Sequence, residues 1–573
     1  MFLNDALGRQ PGIRYICTHH EQGAAIAAEG YSRTSGKLAV VSVTTGPGGT
    51  NSLTGVIGEW LDSIPVLFIS GQVKFSTSIA SCPELGLRQL GDQEINIIDI
   101  VKPVTKYAMM VTDPLRIKYE LQKAIHLATS GRFGPVWLDI PVNVQSAEIN
   151  PDHLPSFLPP AVSGQGVDDV MMNELHERLM LSRSPVIVAG HGIRLSGAIS
   201  DFQTLVNKLK IPILGTLNGF DLLPSDAPYL IGRVGSIGTR AANIALQNAD
   251  FILCIGTRNN IRQISYNWEN FGKRAQCIAV VDIDPAELGK KTLRVTHAIC
   301  SDAGDFIRCL LGHIKEVPDF SSWLQWNQFR RDKYGTVLDE YRNISHGVQP
   351  YFFAEKLTQT LPETAVVVCT NATPSLALFQ AGIVKKEQRM FANSGCAAMG
   401  YGLPAALGAA VAVDGRRPVV CLEGDGSLMM NLQELQTVKH YKLPIKLFLF
   451  NNREYASIRQ TQNNFFAGRK TGCTFDSGVS FPAWDKIAAA FGWKYIRIEN
   501  HTQMDAALHE VLHADEAVFC DLVLVENYLF LPKLTSRKLD DGTLVSASLE
   551  DMFPFLSENE QKANVYVSGI FNG

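Results

Sequence analysis

The chain has almost no net charge: 52 basic against 56 acidic side chains leave −4 over 573 residues. So even a balance gives no electrostatic footing for nucleic acid or for an acidic membrane surface. None of the eleven cysteines forms a CxxC pair, and Cys254, Cys369 and Cys421 fall inside apolar runs. This excludes a disulfide framework or a zinc ribbon and reads as buried free thiols in a reducing compartment, the cytoplasm. No apolar run is long enough to span a bilayer, and residues 1–5 lack the basic and apolar regions of a signal peptide. An opening strand is missing too. Residues 1–7 already carry the pattern of a helix, where an α/β domain ordinarily starts with a strand.

What is present is a repeated strand–turn–helix unit, with 46% hydrophobic residues and 47 glycines to serve its turns. Apolar strands are predicted at 40–43, 66–70 and 136–140, then at 186–189, 213–214, 251–255 and 278–281, and again from 366 onward. A proline-rich stretch at 151–160 separates the first segment from the second, and a polar helical stretch near 316–348 reads as a connector. The expected class is α/β: three doubly wound parallel-sheet domains at 1–150, 160–315 and 345–530, followed by a tail at 531–573.

The third segment holds the most informative pattern. A strand at 419–422 runs into Gly424-Asp425-Gly426-Ser427, and a second strand, 445–450, runs into Asn451-Asn452; Leu432, Leu435 and Val438 mark a helix between them. Gly424 to Asn452 span 29 residues counted inclusively. The two polar clusters therefore end neighbouring parallel strands, where such sheets place ligands. Asp425 and Asn452 offer hard oxygen ligands that suit Mg²⁺. Gly424 and Gly426 let backbone N–H groups approach a diphosphate at a helix start. The joint pattern resembles the thiamine diphosphate motif.

Near the front, Glu21 sits in His20-Glu21-Gln22-Gly23-Ala24-Ala25, ahead of an alanine-rich helix. A glutamate at a helix start is ordinarily there for the macrodipole. Beside the diphosphate pattern it reads instead as a buried acid that holds a proton on a cofactor ring nitrogen, with its pKa raised by burial.

These residues, with Glu29-Gly30-Tyr31-Ser32-Arg33, Gly46-Pro47-Gly48-Gly49-Thr50-Asn51, Arg132-Phe133-Gly134-Pro135 and Met399-Gly400-Tyr401-Gly402-Leu403-Pro404, resemble the acetohydroxyacid synthase family over nearly the whole chain. Phe133 replaces the family's usual proline. The resemblance implies three domains, pyrimidine-binding, central and diphosphate-binding, with a strand and a Gly-Gly turn ahead of what is Met1 here. It implies that Glu21 bonds the aminopyrimidine ring, that Met399 wedges under the cofactor, and that the Ala397 carbonyl accepts from its exocyclic amine. Asp425, Asn452 and the Glu454 carbonyl are the implied Mg²⁺ ligands, and Gln93 falls where the family has an active-site glutamine.

A second signal lies in the central segment. Arg258 and Arg262 follow one strand, Asp282-Ile283 ends the next, and a strand-end Asp commonly bonds a ribose or ribityl hydroxyl. With the turn Gly215-Thr216-Leu217, and with Arg132 and Asp302, these residues match the flavin-containing branch of the family and imply FAD.

The departures bear on substrate. Thr461 stands where the family has a tryptophan, Asp92 where it has a phenylalanine, Val142 where it has a lysine, and Ser236-Ile237 where it has Met-His. A wider, more polar pocket suits a sugar better than a small 2-keto acid. This pattern resembles the carboligases of bacterial surface-sugar pathways, and the tail from Leu531 resembles that group as a possible lid. The expected activity is decarboxylation of pyruvate and transfer of its two-carbon unit to a carbonyl acceptor, a keto-deoxy nucleotide sugar. The alternatives are an acetolactate synthase with a 2-keto acid acceptor and a flavin-reducing pyruvate oxidase. The cofactor's two ends imply a homodimer, or a dimer of dimers, with sites between subunits.

Overall fold

The computed structural model describes residues 1–160, 167–538, 541 and 543–568. Helices α1 (Phe2–Arg9), α2 (Glu21–Ser35) and α3 (Leu53–Asp62) surround a first sheet of β1 (Ala39–Val43), β2 (Val66–Gln72), β3 (Tyr107–Met110) and β4 (Val136–Pro141), ordered β1-β2-β4-β3. The second sheet comprises β5 (Pro185–Ala189), β6 (Ile213–Gly215), β7 (Leu230–Arg233), β8 (Phe251–Ile255), β9 (Cys277–Asp282) and β10 (His297–Cys300), with helix α4 (Arg240–Asn248) between β7 and β8. After helix α5 (Ser321–Lys333), the third sheet has β11 (Val366–Cys369), β12 (Arg389–Phe391), β13 (Val419–Gly424), β14 (Lys446–Asn451), β15 (Lys494–Ile498) and β16 (Val518–Val523), with α6 (Gly402–Val413) and α7 (Ala456–Phe465) among its helices. All three sheets are parallel.

Strands buried on both faces, such as β5, β8 and β11, are unbroken apolar runs because helices cover both sides, and β4, β9 and β14 are as buried while carrying Asp139, Asp282, Lys446 and Asn451. The second sheet is ordered β10-β9-β8-β5-β6-β7 and the third β12-β11-β13-β14-β16-β15. The strand order switches sides between β5 and β8 in the second sheet and between β11 and β13 in the third, where β15 also lies outside β16. A crevice opens at the carboxyl ends of the strands at these two switches.

The first domain meets the third through α2 and α6. Both are rich in small residues, and their backbones nearly touch. A Cβ on Gly30 would lie 2.1 Å from the Ala405 carbonyl oxygen, and one on Gly408 would lie 1.8 Å from that of Ala27. The contacts run in opposite order along the two helices, so the pair is antiparallel.

In the first sheet β1 lies at an edge, and residues 13–18 form no strand and contact the third domain, Arg14 with Asp414 and the Cys17 N–H with the Tyr441 hydroxyl. The stretch expected as a connector puts Trp323 and Trp326 of α5 into the central core, where Tyr566 packs 4.7 Å from Trp323. The tail is tied to the central domain as well: Arg240 donates to the carbonyls of Met552 and Pro554, and Asn248 to that of Asn564. Its last residues, 569–573, lie outside the described residues. Among those described, no helix is long and apolar enough to cross a membrane.

Candidate active site

The Gly-Asp-Gly turn sits at the crevice of the third sheet. Strand β13 ends at Gly424, and Asp425 begins a short helix, Asp425–Leu428. Asp425 is 3% exposed. Its Oδ1 accepts from the Gly426 N–H at 2.7 Å, and its Oδ2 from the N–H groups of Asn452 (3.0 Å) and Arg453 (2.6 Å). Strand β14 is β13's neighbour, so the two motif ends meet directly. Burial pushes the Asp425 carboxyl up to about 7 against these three donors. A carboxylate this deep, meeting the backbone of Asn452, whose side-chain oxygen is a second hard donor, suits a hard divalent cation. Asn452 is held by the Glu454 N–H on its Oδ1 (3.1 Å) and by its own Nδ2 donating to the Tyr528 hydroxyl (2.8 Å). The Glu454 side chain is engaged by Arg459 at 2.6 Å.

Gly426 admits no side chain: a Cβ would lie 2.2 Å from the Tyr455 ring and 3.4 Å from the Met399 methyl. Met399 therefore abuts the diphosphate turn. Ser427 is buried, shares a hydrogen bond with Thr370 (2.7 Å) and accepts from the Gly400 N–H (2.8 Å). Ala397 has a left-handed φ of 52°. Its N–H donates to Asn393 (3.1 Å), and its carbonyl accepts from Asn371 (2.8 Å), which leaves that oxygen a second lone pair.

Glu21 opens α2, where His20 caps the helix by accepting from the Gln22 N–H. Its Oε2 accepts from Asn51 at 3.1 Å, and Gly48 leaves room beside its Oε1. The expected deep burial is not found in the single chain. Glu21 is half-buried, because it stands on the first turn of its helix with the Gly46–Asn51 turn covering one side only. Gln93 and Asp92 are exposed, and the Gln93 carbonyl packs on Gly46. Glu21 does not meet Met399 in this chain. Tyr401 and Asn393 bond Glu29, so the segment carrying Ala397 and Met399 lies by Glu29, about 12 Å of helix from Glu21. Thr461 lies on α7, exposed, its hydroxyl returning to the Ser457 carbonyl at 3.0 Å.

A cavity of about 1180 Å³, open mouth included, occupies the crevice of the central sheet. Thr216, Leu217, Arg258, Arg262, Asp282, Ile283, Asp302 and Arg132 line it. Gly215 stands behind the wall, packed on Phe220. Arg132 reaches from the first domain to Asp284 (2.7 Å) and Glu287 (2.8 Å). Asp282 is 8% exposed, and burial raises its pKa. Asp302 caps the helix Ala303–His313 through the Gly304 N–H. A lining that mixes arginines with strand-end carboxylates fits an extended ligand carrying both a diphosphate and hydroxyls, as FAD does.

Sequence reasoning missed several residues of these walls. His191 lines the central cavity with both ring nitrogens buried; burial first, and then Arg389, Arg33 and Arg194, hold it well below the usual histidine range. Its place in Gly190-His191-Gly192, directly after β5, was the available signal. Thr370 and Asn371 follow β11, across the crevice from Gly424, and could have been found from the same strand-end rule. Asp62, Asn218 and Ser394 come from three different domains and left no local pattern.

Three regions match the thiamine pyrophosphate enzyme profiles: the N-terminal TPP binding domain over 1–97, the central domain over 172–310 and the C-terminal TPP binding domain over 373–522. The acetolactate synthase large subunit of Lactococcus lactis is 32% identical, over 98% of this chain and 93% of that protein. The isozyme 2 large subunit of Escherichia coli is 32% identical over 88% and 87%, and a probable acetolactate synthase large subunit of Methanocaldococcus jannaschii is 32% identical over 89% and 85%. With the diphosphate turn at one crevice and a cavity lined by Arg132, Arg258, Asp282 and Asp302 at the other, these matches show that the chain belongs to the thiamine pyrophosphate enzymes of the acetolactate synthase family.

Proposed function

We propose that the chain is a carboligase that decarboxylates pyruvate and passes the two-carbon unit to the keto group of a deoxy nucleotide sugar. Bound thiamine diphosphate supplies the electron sink for this chemistry. The protein's part is to hold, orient and shield. Asp425, Asn452 and the Glu454 carbonyl hold Mg²⁺, and Gly424, Gly426 and Ser427 receive the diphosphate. Met399 and the Ala397 carbonyl fix the cofactor's posture, Glu21 holds the proton at its pyrimidine nitrogen, and Gln93 faces the reacting centre. The flavin cavity binds FAD through Arg132, Thr216, Leu217, Arg258, Arg262, Asp282, Ile283 and Asp302, with Gly215 shaping the turn behind them.

The site is shared by two copies of the chain. The antiparallel α2–α6 pair supports this, since it keeps Glu21 away from Met399 of the same chain. The observation carrying the acceptor is Thr461, short, polar and outward-facing on the helix that follows the metal loop, with Asp92 equally exposed on the first domain. An acceptor with hydroxyls and bulk is accommodated by such groups better than a small apolar keto acid. Eleven free cysteines suit a reducing compartment, the cytoplasm.

One observation favours a second reading: the relatives carry the name acetolactate synthase, whose acceptor is a 2-keto acid. Supplying pyruvate alone, with 2-ketobutyrate, and with a 4-keto-6-deoxy nucleotide sugar, and weighing the products, separates the two. A coupled sugar product is expected. Acetolactate as the sole product in all three mixtures sinks the sugar reading.

A further inference from the structure

We propose that Asp62 is a positioning residue that couples the flavin cavity to the thiamine diphosphate loop, so that each cofactor raises the chain's affinity for the other. This deepens the cofactor reading above and rests on it.

Asp62 ends α3, and its carboxylate is 2% exposed. Donors from all three domains converge on it. Arg33 of the first domain donates at 2.5 Å, Asn218 of the central domain at 3.1 Å, and Ser394 of the third domain through both its N–H (2.8 Å) and its hydroxyl (3.2 Å). Arg258, on the cavity wall, pairs with Asp62 at 3.7 Å, close enough for charge but beyond a hydrogen bond. Its guanidinium is thus available to an anionic ligand in the cavity. A dinucleotide whose diphosphate draws on Arg258 alters the charge balance at Asp62, and little solvent is there to screen the change.

From Asp62 the network continues into the thiamine loop. Beside Ser394, Asn393 donates to both oxygens of Glu29 (3.1 and 3.0 Å), and its own oxygen accepts from the N–H groups of Cys396 (2.9 Å) and Ala397 (3.1 Å). Glu29 also accepts from Arg33 (2.7 Å) and Tyr401 (3.0 Å). Residues on both sides of Ala397 are therefore pinned by two carboxylates that share Arg33. Left-handed backbone at an alanine persists only where its surroundings over-determine it, and this network is what surrounds it. The path from the cavity wall to the carbonyl assigned to the cofactor's amine runs through buried and part-buried hydrogen bonds and one ion pair, joined by the peptide bond between Asn393 and Ser394, with Asp62 at the junction.

The test measures thiamine diphosphate affinity, with Mg²⁺ in excess, on flavin-free and FAD-saturated protein. FAD affinity is measured by flavin fluorescence with and without thiamine diphosphate. The wild type is expected to show the same factor in both directions, about 10-fold, because coupling is reciprocal. Asp62→Asn should bring both factors close to one. Should that variant not fold, Ser394→Ala, which removes one hydroxyl donor, should lower both factors while the melting temperature of the cofactor-free protein stays near wild type. A purely packing role would move the melting temperature and leave the factor intact. Both cofactors binding without coupling in the wild type, or full coupling in both variants, overturns the inference and leaves the cofactor reading standing. No thiamine diphosphate binding at all overturns both.

Discussion

The two crevices are built on one rule and completed in different ways. The central cavity draws walls from all three domains of a single chain, with Arg132 and Asp62 from the first, Arg258 and Asp282 from the second and Ser394 from the third. If Glu21 grips the cofactor as proposed, the diphosphate crevice of one chain holds only half of that site, since Glu21 lies toward the far end of the α2–α6 pair from Met399. A flavin should therefore bind each chain independently, whereas thiamine diphosphate should depend on two chains together. Diluting the loaded protein tests this at once: thiamine diphosphate should be lost as dimers dissociate, with flavin retained. Parallel loss of both cofactors would remove the distinction.

The largest effect is expected from Asp425→Asn, which keeps the shape of the turn and removes the charge that a divalent cation needs. Mg²⁺-dependent thiamine diphosphate retention should fall by about 100-fold or more, on the order of 3 kcal/mol, with flavin affinity reduced by no more than the coupling factor of about 10-fold. Flavin loss to the same degree would mean that the two crevices are one folding unit. Glu21→Gln comes next. It should bind the cofactor and lose turnover by about 100-fold, the usual scale for a misplaced proton. Unaltered turnover would falsify the role assigned to Glu21. Gly426→Ala should act through sterics alone, because its methyl meets the Tyr455 ring at 2.2 Å. It should weaken thiamine diphosphate binding about tenfold, on the order of 1–3 kcal/mol of overpacking, and leave flavin affinity measured without thiamine diphosphate unchanged.

How much of this could be read from the sequence follows from the same contrast. Interior strands such as β5, β8 and β11 were legible because parallel strands covered on both faces are plain apolar runs. Most edge strands were not, although β1, at an edge, was legible at 40–43. In β3 every residue is at least partly exposed, β10 alternates buried with exposed, and β15 mixes Lys494 and Arg497 into its run, so none stands out from a loop. Asp425 and Asn452 were legible because both end interior strands and their spacing repeats a known pattern. Glu21 was legible as a residue, but its burial was not, since burial depends on what stands opposite. The Asp62 junction was invisible: Arg33, Asp62, Asn218 and Ser394 lie far apart in the chain, and only the fold of three domains brings them together.

The smallest prediction concerns the ground common to both crevices. Glu59, on α3 one turn before Asp62, is fully buried, and neither carboxyl oxygen has a hydrogen-bond partner in the structure. Burial first, and then the charge of Glu29, raise its pKa well above the ordinary 4.5, against an opposing pull from Arg33. The folded chain therefore holds this proton more tightly than the unfolded chain does. Its contribution to stability is complete below the unfolded value and is lost as pH rises through the folded one. In Glu59→Gln that loss disappears, and the amide substitutes for the protonated acid at nearly the same volume. Urea unfolding at several pH values should show the two proteins alike near pH 4.5 and the variant ahead at higher pH, by an amount on the order of 1 kcal/mol. Flavin and thiamine diphosphate affinities should stay as they were. Parallel stability profiles would mean that Glu59 is ionised and paired in solution, and that the junction around Asp62 carries one more negative charge than the hydrogen bonds at hand can hold.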